Sequence, residues 1–236
     1  MKKFLVIGNP IKHSLSPQLH NYWIKKNNIN ATYNKEQLDE IDLKTFFLNF
    51  RNKKISGANV TVPFKKKVIP FLDQLTPEAK ETQSVNTIYL KDNKLVGHNT
   101  DITGFELAIK KTKNVVLGKK VLILGAGGVV SSIIFALNKM RASNITISNR
   151  TKTKARSLQN LFKNLTVVDW GEIPDFDIVI NATSVGLKKD DKLNLDFSVS
   201  GKGKFYYDII YNPNETNFLK IGKELGGETR NGKEMF

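Results

Sequence analysis

The chain has 236 residues, 40% hydrophobic and 25% charged, with no cysteine and a formal net charge of +15. That length suffices for one large domain or two modest ones with proper cores, and the lack of cysteine excludes disulfides and thiolate metal sites. The excess charge is mostly lysine spread along the whole chain, with no basic block interleaved with aromatics, so it reads as a solvated surface on a protein with anionic ligands rather than a nucleic-acid interface.

The first eight residues could pass for the start of a signal peptide. The apolar run is too short, however, and Gly8, Asn9 and Pro10 follow at once. No stretch approaches the roughly 18 apolar residues that span a bilayer. The expectation is a soluble cytoplasmic protein without a membrane partner. Residues 4–8 read as a strand, and Ser16-Pro17 opens a helix to about residue 27, with Ser16 as its N-cap. Residues 32–37 form a second strand. Residues 43–52 have helical spacing, with Leu43, Phe46, Phe47 and Phe50 on one face. A buried strand over 57–62 ends at Pro63. Strands over 87–90 and 95–98 flank Asp92-Asn93 as a hairpin. Strands alternating with helices imply a mostly parallel sheet.

A helix over 101–111 leads into a second unit. The strand over 120–124 runs straight into Gly125-Ala126-Gly127-Gly128, and a helix follows over 129–139. Further strands fall at 144–148, 166–168, 177–181 and 205–209, with a helix over 151–162. This is a βαβ series of the Rossmann-like kind, whose glycine turn brings backbone N–H groups and a helix N-terminus to a diphosphate. Gly125 allows the tight turn, Gly127 the close approach and Gly128 further clearance, although Val129-Val130 is bulky where a third small residue is usual. NAD enzymes place an acid after the second strand. Here Asn149-Arg150-Thr151 and Lys154 stand instead, and these groups suit a 2′-phosphate, so NADP is the expected cofactor.

Polar residues gather where apolar strands stop, which is where open parallel sheets bind ligands. Ser14 and Ser16 offer hydroxyls beside a helix N-terminus, a good carboxylate site; simple capping accounts for Ser16 but not for Ser14. Asn59 and Thr61 alternate with apolar residues toward a strand end, and Lys65 follows. A lysine in a run such as Lys65-Lys66-Lys67 is ordinarily a solvated charge; only the position after that strand end lifts Lys65. Asn86, His98, Asn99 and Asp101 continue the theme. His13 and His98 lie beside these motifs as possible bases or as local hydrogen-bond partners. Three histidines without metal-ligand spacing argue for no metal.

The segments GNPIKHSLSP, GANVTVPFK, SVNT, GHNTD, GAGG, NRTKTKA, NATSVGL and YYDIIYNPNETNFL stand in the order found in shikimate dehydrogenases, and the resemblance runs from Phe4 to Met235. It implies two α/β domains with a cleft between them: a substrate-binding domain over 1–101 with a mostly parallel sheet, and a Rossmann-like NADP-binding domain over 102–217. Residues 218–236 are left open to a return to the first domain. The implied ligands are shikimate or 3-dehydroshikimate and NADP, in a monomer or homodimer. By this similarity Ser14 and Ser16 bind the substrate carboxylate, and Thr61, Asn86 and Asn99 bind ring hydroxyls with Lys65 and Asp101. Asn59 supports that cluster, and Tyr211 reaches substrate from the cofactor domain. Gly125, Ala126, Gly127, Gly128 and Val129 hold the diphosphate; Asn149, Arg150, Thr151 and Lys154 hold the 2′-phosphate. Thr183, Ser184 and Val185 lie along the cofactor, and Gly232 and Met235 approach the nicotinamide.

Oxidation of a secondary alcohol needs a hydride acceptor and a base at the hydroxyl. The resemblance makes a Lys65–Asp101 pair that base, with Lys65 as the principal acid/base; which member takes the proton is not legible in the sequence. Shikimate dehydrogenases usually continue past this chain's last residue into a final helix that returns to the first domain and carries a substrate-contacting glutamine, so weakened substrate binding is expected here. Two alternatives share the scaffold: a quinate/shikimate dehydrogenase, and a non-catalytic ligand-binding protein.

Overall fold

The computed structural model describes residues 1–12, 14–188 and 190–235. Contacts divide the chain into two units, Met1–Thr100 and Asp101–Phe236.

The first unit contains β1 (Lys2–Gly8), α1 (Ser16–Lys26), β2 (Ala31–Gln37), α2 (Leu43–Arg51), β3 (Gly57–Val60), β4 (Gln74–Leu75), α3 (Pro77–Thr82), β5 (Thr87–Lys91) and β6 (Lys94–His98). Its sheet has the order β2-β1-β3-β5-β6-β4. Strand β1 pairs parallel with β2 and β3, and β4 pairs parallel with β6. The β3–β5 and β5–β6 pairs are antiparallel. The hairpin makes the β5–β6 pair so: Asp92 and Asn93 both take positive φ, 51° and 59°, and a two-residue turn can join only antiparallel neighbours.

Strand β1 is apolar from Phe4 onward, where both its faces are covered. Leu5 and Ile7 join Leu43, Phe46, Phe47 and Phe50 of α2 in the main core. Val6 points the other way, toward Tyr33 of β2 and Ile24 of α1. Helix α1 buries no residue fully. Asn21 ties it to the edge strand instead, its Nδ2 donating to Tyr33 O at 2.7 Å while its Oδ1 accepts from Tyr33 N at 3.0 Å.

The second unit contains α4 (Asp101–Lys110), β7 (Lys120–Leu124), α5 (Val130–Lys139), β8 (Asn144–Ser148), α6 (Lys152–Leu161), β9 (Leu165–Val168), β10 (Ile178–Asn181), β11 (Phe205–Asp208), α7 (Asn217–Glu224) and β12 (Glu228–Arg230). All its strands are parallel, in the order β12-β11-β10-β7-β8-β9. Within the unit this is the 6-5-4-1-2-3 arrangement of doubly wound dinucleotide-binding sheets, with the direction of winding reversing between β7 and β10. One face packs on α4 and α5 through Ile102, Phe105, Ile133 and Leu137. The other packs on α7 through Tyr206, Phe218 and Leu219.

Residues 218–236 lie in this second unit: β12 pairs with β11, and the turn of helix Gly232–Met235 packs against α4. Elements α7 and β12 escape sequence reading because eight and three residues are too short for a periodicity. No helix among the described residues is long and apolar enough to cross a membrane.

Phe50 is fully buried and touches the rings of Phe46 and Phe47. Phe50→Ala should destabilise the first unit by about 3–5 kcal/mol, read as an earlier unfolding transition in urea. A loss below about 1 kcal/mol would mean that the α2 face repacks around the cavity.

Candidate active site

In the first unit the site is built at the carboxyl ends of β1 and β3. Gly8 ends β1 where any side chain would collide: a Cβ there would lie 2.5 Å from Thr61 Cγ2. Its absence lets the segment after β3 cross close over β1. Two backbone bonds pin that segment, Thr61 N to Ile7 O at 2.9 Å and Asn9 N to Val62 O at 2.9 Å.

Asn59 is the hinge of a hydrogen-bonded chain. Its Nδ2 donates to Asn86 O and to Thr87 Oγ1, both at 3.2 Å, and its Oδ1 accepts from Tyr33 Oη at 2.6 Å. Thr87 Oγ1 donates to Asn86 Oδ1 at 3.0 Å. Asn86 in turn holds Thr100, accepting from its N–H at 2.9 Å and donating Nδ2 to its Oγ1 at 2.8 Å. Residues on β2, β3, β5 and the turn after β6 are thereby locked together. Neither Tyr33 nor Thr100 is marked out in the sequence; Tyr33 sits in an ordinary strand pattern, and only its partners identify it.

Lys65 is half-buried, whereas Lys66 and Lys67 are exposed and Lys67 pairs with Glu40. The lysine run therefore splits as burial demands: two solvated charges and one set apart. The Lys65 carbonyl accepts from Val85 N at 2.8 Å, fixing it beside the segment that carries Asn86.

One expectation for this unit changes. Ser16 does not cap α1: the N-cap position is Leu15, no side chain caps the helix, and Ser14 Oγ accepts from Ser16 N at 3.3 Å. The Ser16 hydroxyl thus has no capping duty. Asn99 is 1% exposed and donates Nδ2 to Thr82 Oγ1 and Ser84 O, both at 3.0 Å. His98 pairs its Nδ1 with Thr76 Oγ1 at 3.0 Å, a local role at the start of α3. His13 lies outside the described residues.

In the second unit Asp101 opens α4, half-buried. The glycine turn lies at the reversal point of the sheet. Gly125 has φ +104°, and a Cβ on it would sit 2.8 Å from Ala182 O, so only glycine fits. Gly127 and Gly128 are exposed, and a Cβ on Gly127 would meet nothing nearer than 3.8 Å, leaving room for an approaching diphosphate. No side chain caps α5 at Val129 and no acid stands in its first turn. After β8, Asn149 Nδ2 donates to Thr151 O at 2.8 Å and shapes the turn. Lys152 pairs with Asp169 at 2.6 Å, while Arg150 and Lys154 are exposed. The first turn of α6 has no acid either. This donor set fits NADP: backbone and helix N-termini for the diphosphate, and cations for the 2′-phosphate.

A buried carboxylate organises the neighbouring loops. Asp208, 0% exposed at the end of β11, accepts from Thr216 Oγ1 at 2.6 Å, Ile210 N at 2.9 Å and Asn181 Nδ2 at 3.2 Å. Asn181 Oδ1 accepts from Thr183 N at 3.1 Å and Thr183 Oγ1 at 2.7 Å, and Thr183 Oγ1 accepts from Val185 N at 3.0 Å. One carboxylate therefore ties together the turn carrying Thr183, Ser184 and Val185, the start of the segment leading to Tyr211, and the cap of α7. Tyr211 is half-buried. Gly232 N donates to Ile210 O at 3.1 Å, and Met235 packs on the α4 core.

The strand order, the glycine turn at the reversal point and the cations after β8 define the second unit as the nucleotide domain of an NADP-type dehydrogenase. The sequence matches the shikimate dehydrogenase substrate binding domain over residues 6–88 and the shikimate / quinate 5-dehydrogenase domain over residues 106–209. It is 59% identical over 235 residues to the shikimate dehydrogenase (NADP(+)) of Pelagibacter ubique, covering 100% of this chain and 89% of that protein. Among solved structures, shikimate dehydrogenase from Aquifex aeolicus is 38% identical with a TM-score of 0.90, covering 100% of this chain and 88% of that one. The Thermus thermophilus enzyme in complex with NADP(H) and shikimate is 30% identical with a TM-score of 0.90, with the same coverage. The chain belongs to the shikimate dehydrogenase family.

Burial pushes the Asp208 carboxyl up to about 6, against the bonds from Thr216, Ile210 and Asn181 that favour its charged form. A carboxyl raised on folding binds its proton more tightly in the folded chain. Its stabilising contribution is therefore complete below about pH 4 and lost as the pH rises to about 6. Asp208→Asn carries no charge at any pH. Wild type should lose about 3 kcal/mol relative to this variant between about pH 4 and about pH 6, measured by urea unfolding across that range. A constant difference would mean that the hydrogen bonds cancel the effect of burial.

Proposed function

We propose that this protein catalyses the reversible oxidation of shikimate to 3-dehydroshikimate with NADP, a step of chorismate and aromatic amino acid biosynthesis. The reading is supported above all by one observation: at the carboxyl end of β3, a single half-buried lysine stands beside a hydrogen-bonded set of asparagines and threonines. Such a set can orient several ring hydroxyls at once, and a lysine withdrawn from bulk solvent can exchange a proton with one of them.

Each residue has a role that its chemistry suits. Ser14 and Ser16 donate to the substrate carboxylate. Thr61 and Asn86 hold ring hydroxyls, with Asn59 supporting them, and Tyr211 contributes a hydroxyl from the second unit. The Lys65 amine takes the proton of the reacting hydroxyl in oxidation and returns it in reduction. Asp101, as its partner, favours the charged ammonium that forms. Bound NADP supplies the hydride acceptor. Gly125 to Val129 hold its diphosphate, and Asn149, Arg150, Thr151 and Lys154 its 2′-phosphate. Thr183, Ser184 and Val185 lie along it, and Gly232 and Met235 border its nicotinamide.

The direct test is formation of NADPH by the purified protein with shikimate, run beside quinate and beside NAD. Turnover confined to quinate, or binding of shikimate without turnover, would each overturn the assignment. Lys65→Ala should lower kcat by about 10²–10⁴-fold while changing the KM for shikimate far less. Arg150→Ala should raise the KM for NADP by about tenfold or more through loss of a charge-assisted bond, with little effect on the KM for NAD.

A further inference from the structure

Strands β11 and β12 are parallel neighbours, so the segments that leave their carboxyl ends start side by side. The segment after β11 carries Tyr211. Asp208 anchors it at both ends, accepting from Ile210 N at 2.9 Å and from Thr216 Oγ1 at 2.6 Å. Residues 211–215 lie between those anchors, in neither helix nor strand. Such a stretch holds a side chain in one place only if it is gripped along its length.

Asn231 and Gly232, just past the end of β12, grip the segment on either side of Tyr211. On one side Gly232 N donates to Ile210 O at 3.1 Å. The two backbones are so close there that a Cβ on Gly232 would collide with the Ile209 carbonyl. On the other side Asn231 Nδ2 donates to Asn214 O and to Asn214 Oδ1, both at 2.8 Å. Asn231 Oδ1 accepts from Lys233 N at 3.2 Å, which fixes the end of the amide that faces Asn214. Both amide protons are therefore assigned, on a side chain that is half-buried. Capping of the helical turn Gly232–Met235 accounts for the bond from Lys233. It does not account for two bonds to a residue 17 positions earlier in the chain.

We propose that Asn231 is a positioning residue for Tyr211: its amide holds the far side of the segment whose near side Gly232 and Asp208 hold, so the Tyr211 phenol is presented in one place. This rests on the reading that Tyr211 contributes a hydroxyl to the substrate from the second unit. A loose segment would have to be ordered each time substrate binds, and that cost falls on binding rather than on the chemical step. The diphosphate and 2′-phosphate are held from the ends of β7 and β8, and the Gly232 bond to Ile210 does not pass through the Asn231 side chain. The affinity for NADP is therefore spared.

The test is a set of variants measured with shikimate and NADP: Asn231→Asp, Asn231→Ala, Asn214→Ala, Tyr211→Phe, and Asn231→Asp combined with Tyr211→Phe. Aspartate has the shape of asparagine and keeps the acceptor for Lys233 N, but it cannot donate to Asn214. Asn231→Asp and Asn231→Ala should each raise the KM for shikimate about tenfold, with kcat and the KM for NADP within about twofold of wild type. Asn214→Ala removes one of the two acceptors and should raise the KM for shikimate about threefold. The double variant should match Tyr211→Phe alone, because Asn231 acts through Tyr211. A wild-type KM for shikimate in Asn231→Asp beside a raised one in Tyr211→Phe would overturn the role of Asn231 and leave Tyr211 at the substrate, as would multiplying effects in the double variant. A wild-type KM in Tyr211→Phe would overturn the placing of Tyr211, and the proposal with it. A merely structural role would impair Asn231→Ala and spare Asn231→Asp, or raise the KM for NADP as much as that for shikimate, and either pattern also overturns the proposal. Should Asn231→Ala fail to fold, Asn231→Asp and Asn214→Ala decide by the same measures.

Discussion

The first unit depends on the side-chain amide of Asn59. Sheet pairing satisfies backbone groups along β1, β3 and β5, but it stops where the strands end, and a ligand site needs those ends open. Asn59 closes the gap with three hydrogen bonds, to the edge strand through Tyr33 and to β5 through Asn86 and Thr87. A half-buried amide with both ends occupied has one orientation, and each neighbour inherits a defined donor or acceptor role from it. This explains how small polar residues on different strands can present a fixed pattern to a ligand rather than a set of rotating hydroxyls.

The second unit meets the same demand with a charge. Asp208 receives three donors from three separate segments, and no cation is among those partners. A buried carboxylate in that state is tolerated because each donor is aimed at it, and it is costly enough that burial and bonding pull its titration in opposite directions. The benefit is geometric. The turn after β10, the segment after β11 and the cap of α7 cannot drift apart without stranding the carboxylate. The loops at the carboxyl ends of β10 and β11 thereby gain a rigid base.

The glycines do complementary work at the same strand ends. Gly8 admits Thr61 by omitting a side chain, and Gly125 admits the backbone of Ala182 in the same way. Hydrogen bonds hold the surrounding segments together and the missing Cβ atoms let them come close, so each unit's site is set by both attraction and clearance.

Much of this was legible from the sequence. The runs over residues 120–124 and 144–148 bury every residue but the first because parallel strands are covered on both faces, and their bounds match β7 and β8. The Asp92-Asn93 turn and the glycine turn after β7 were equally plain, since a positive φ restricts residue choice locally. The type of cofactor could be read because a 2′-phosphate demands cations where a ribose hydroxyl demands an acid. Those are local constraints, carried by adjacent residues. What tertiary structure alone decided was which polar groups serve the site and which serve the fold. Asn99 and Asn86 look alike in sequence, yet one is spent inside the unit and the other holds Thr100 at its surface. Lys65 looks like Lys66, and only burial separates them. Ser16 passed for a cap, and Tyr33 for a plain strand residue, until their partners were placed. A hydrogen bond between residues far apart in the chain leaves no periodicity behind, so the direction in which a side chain points, and the proton it has left to give, belong to the folded molecule.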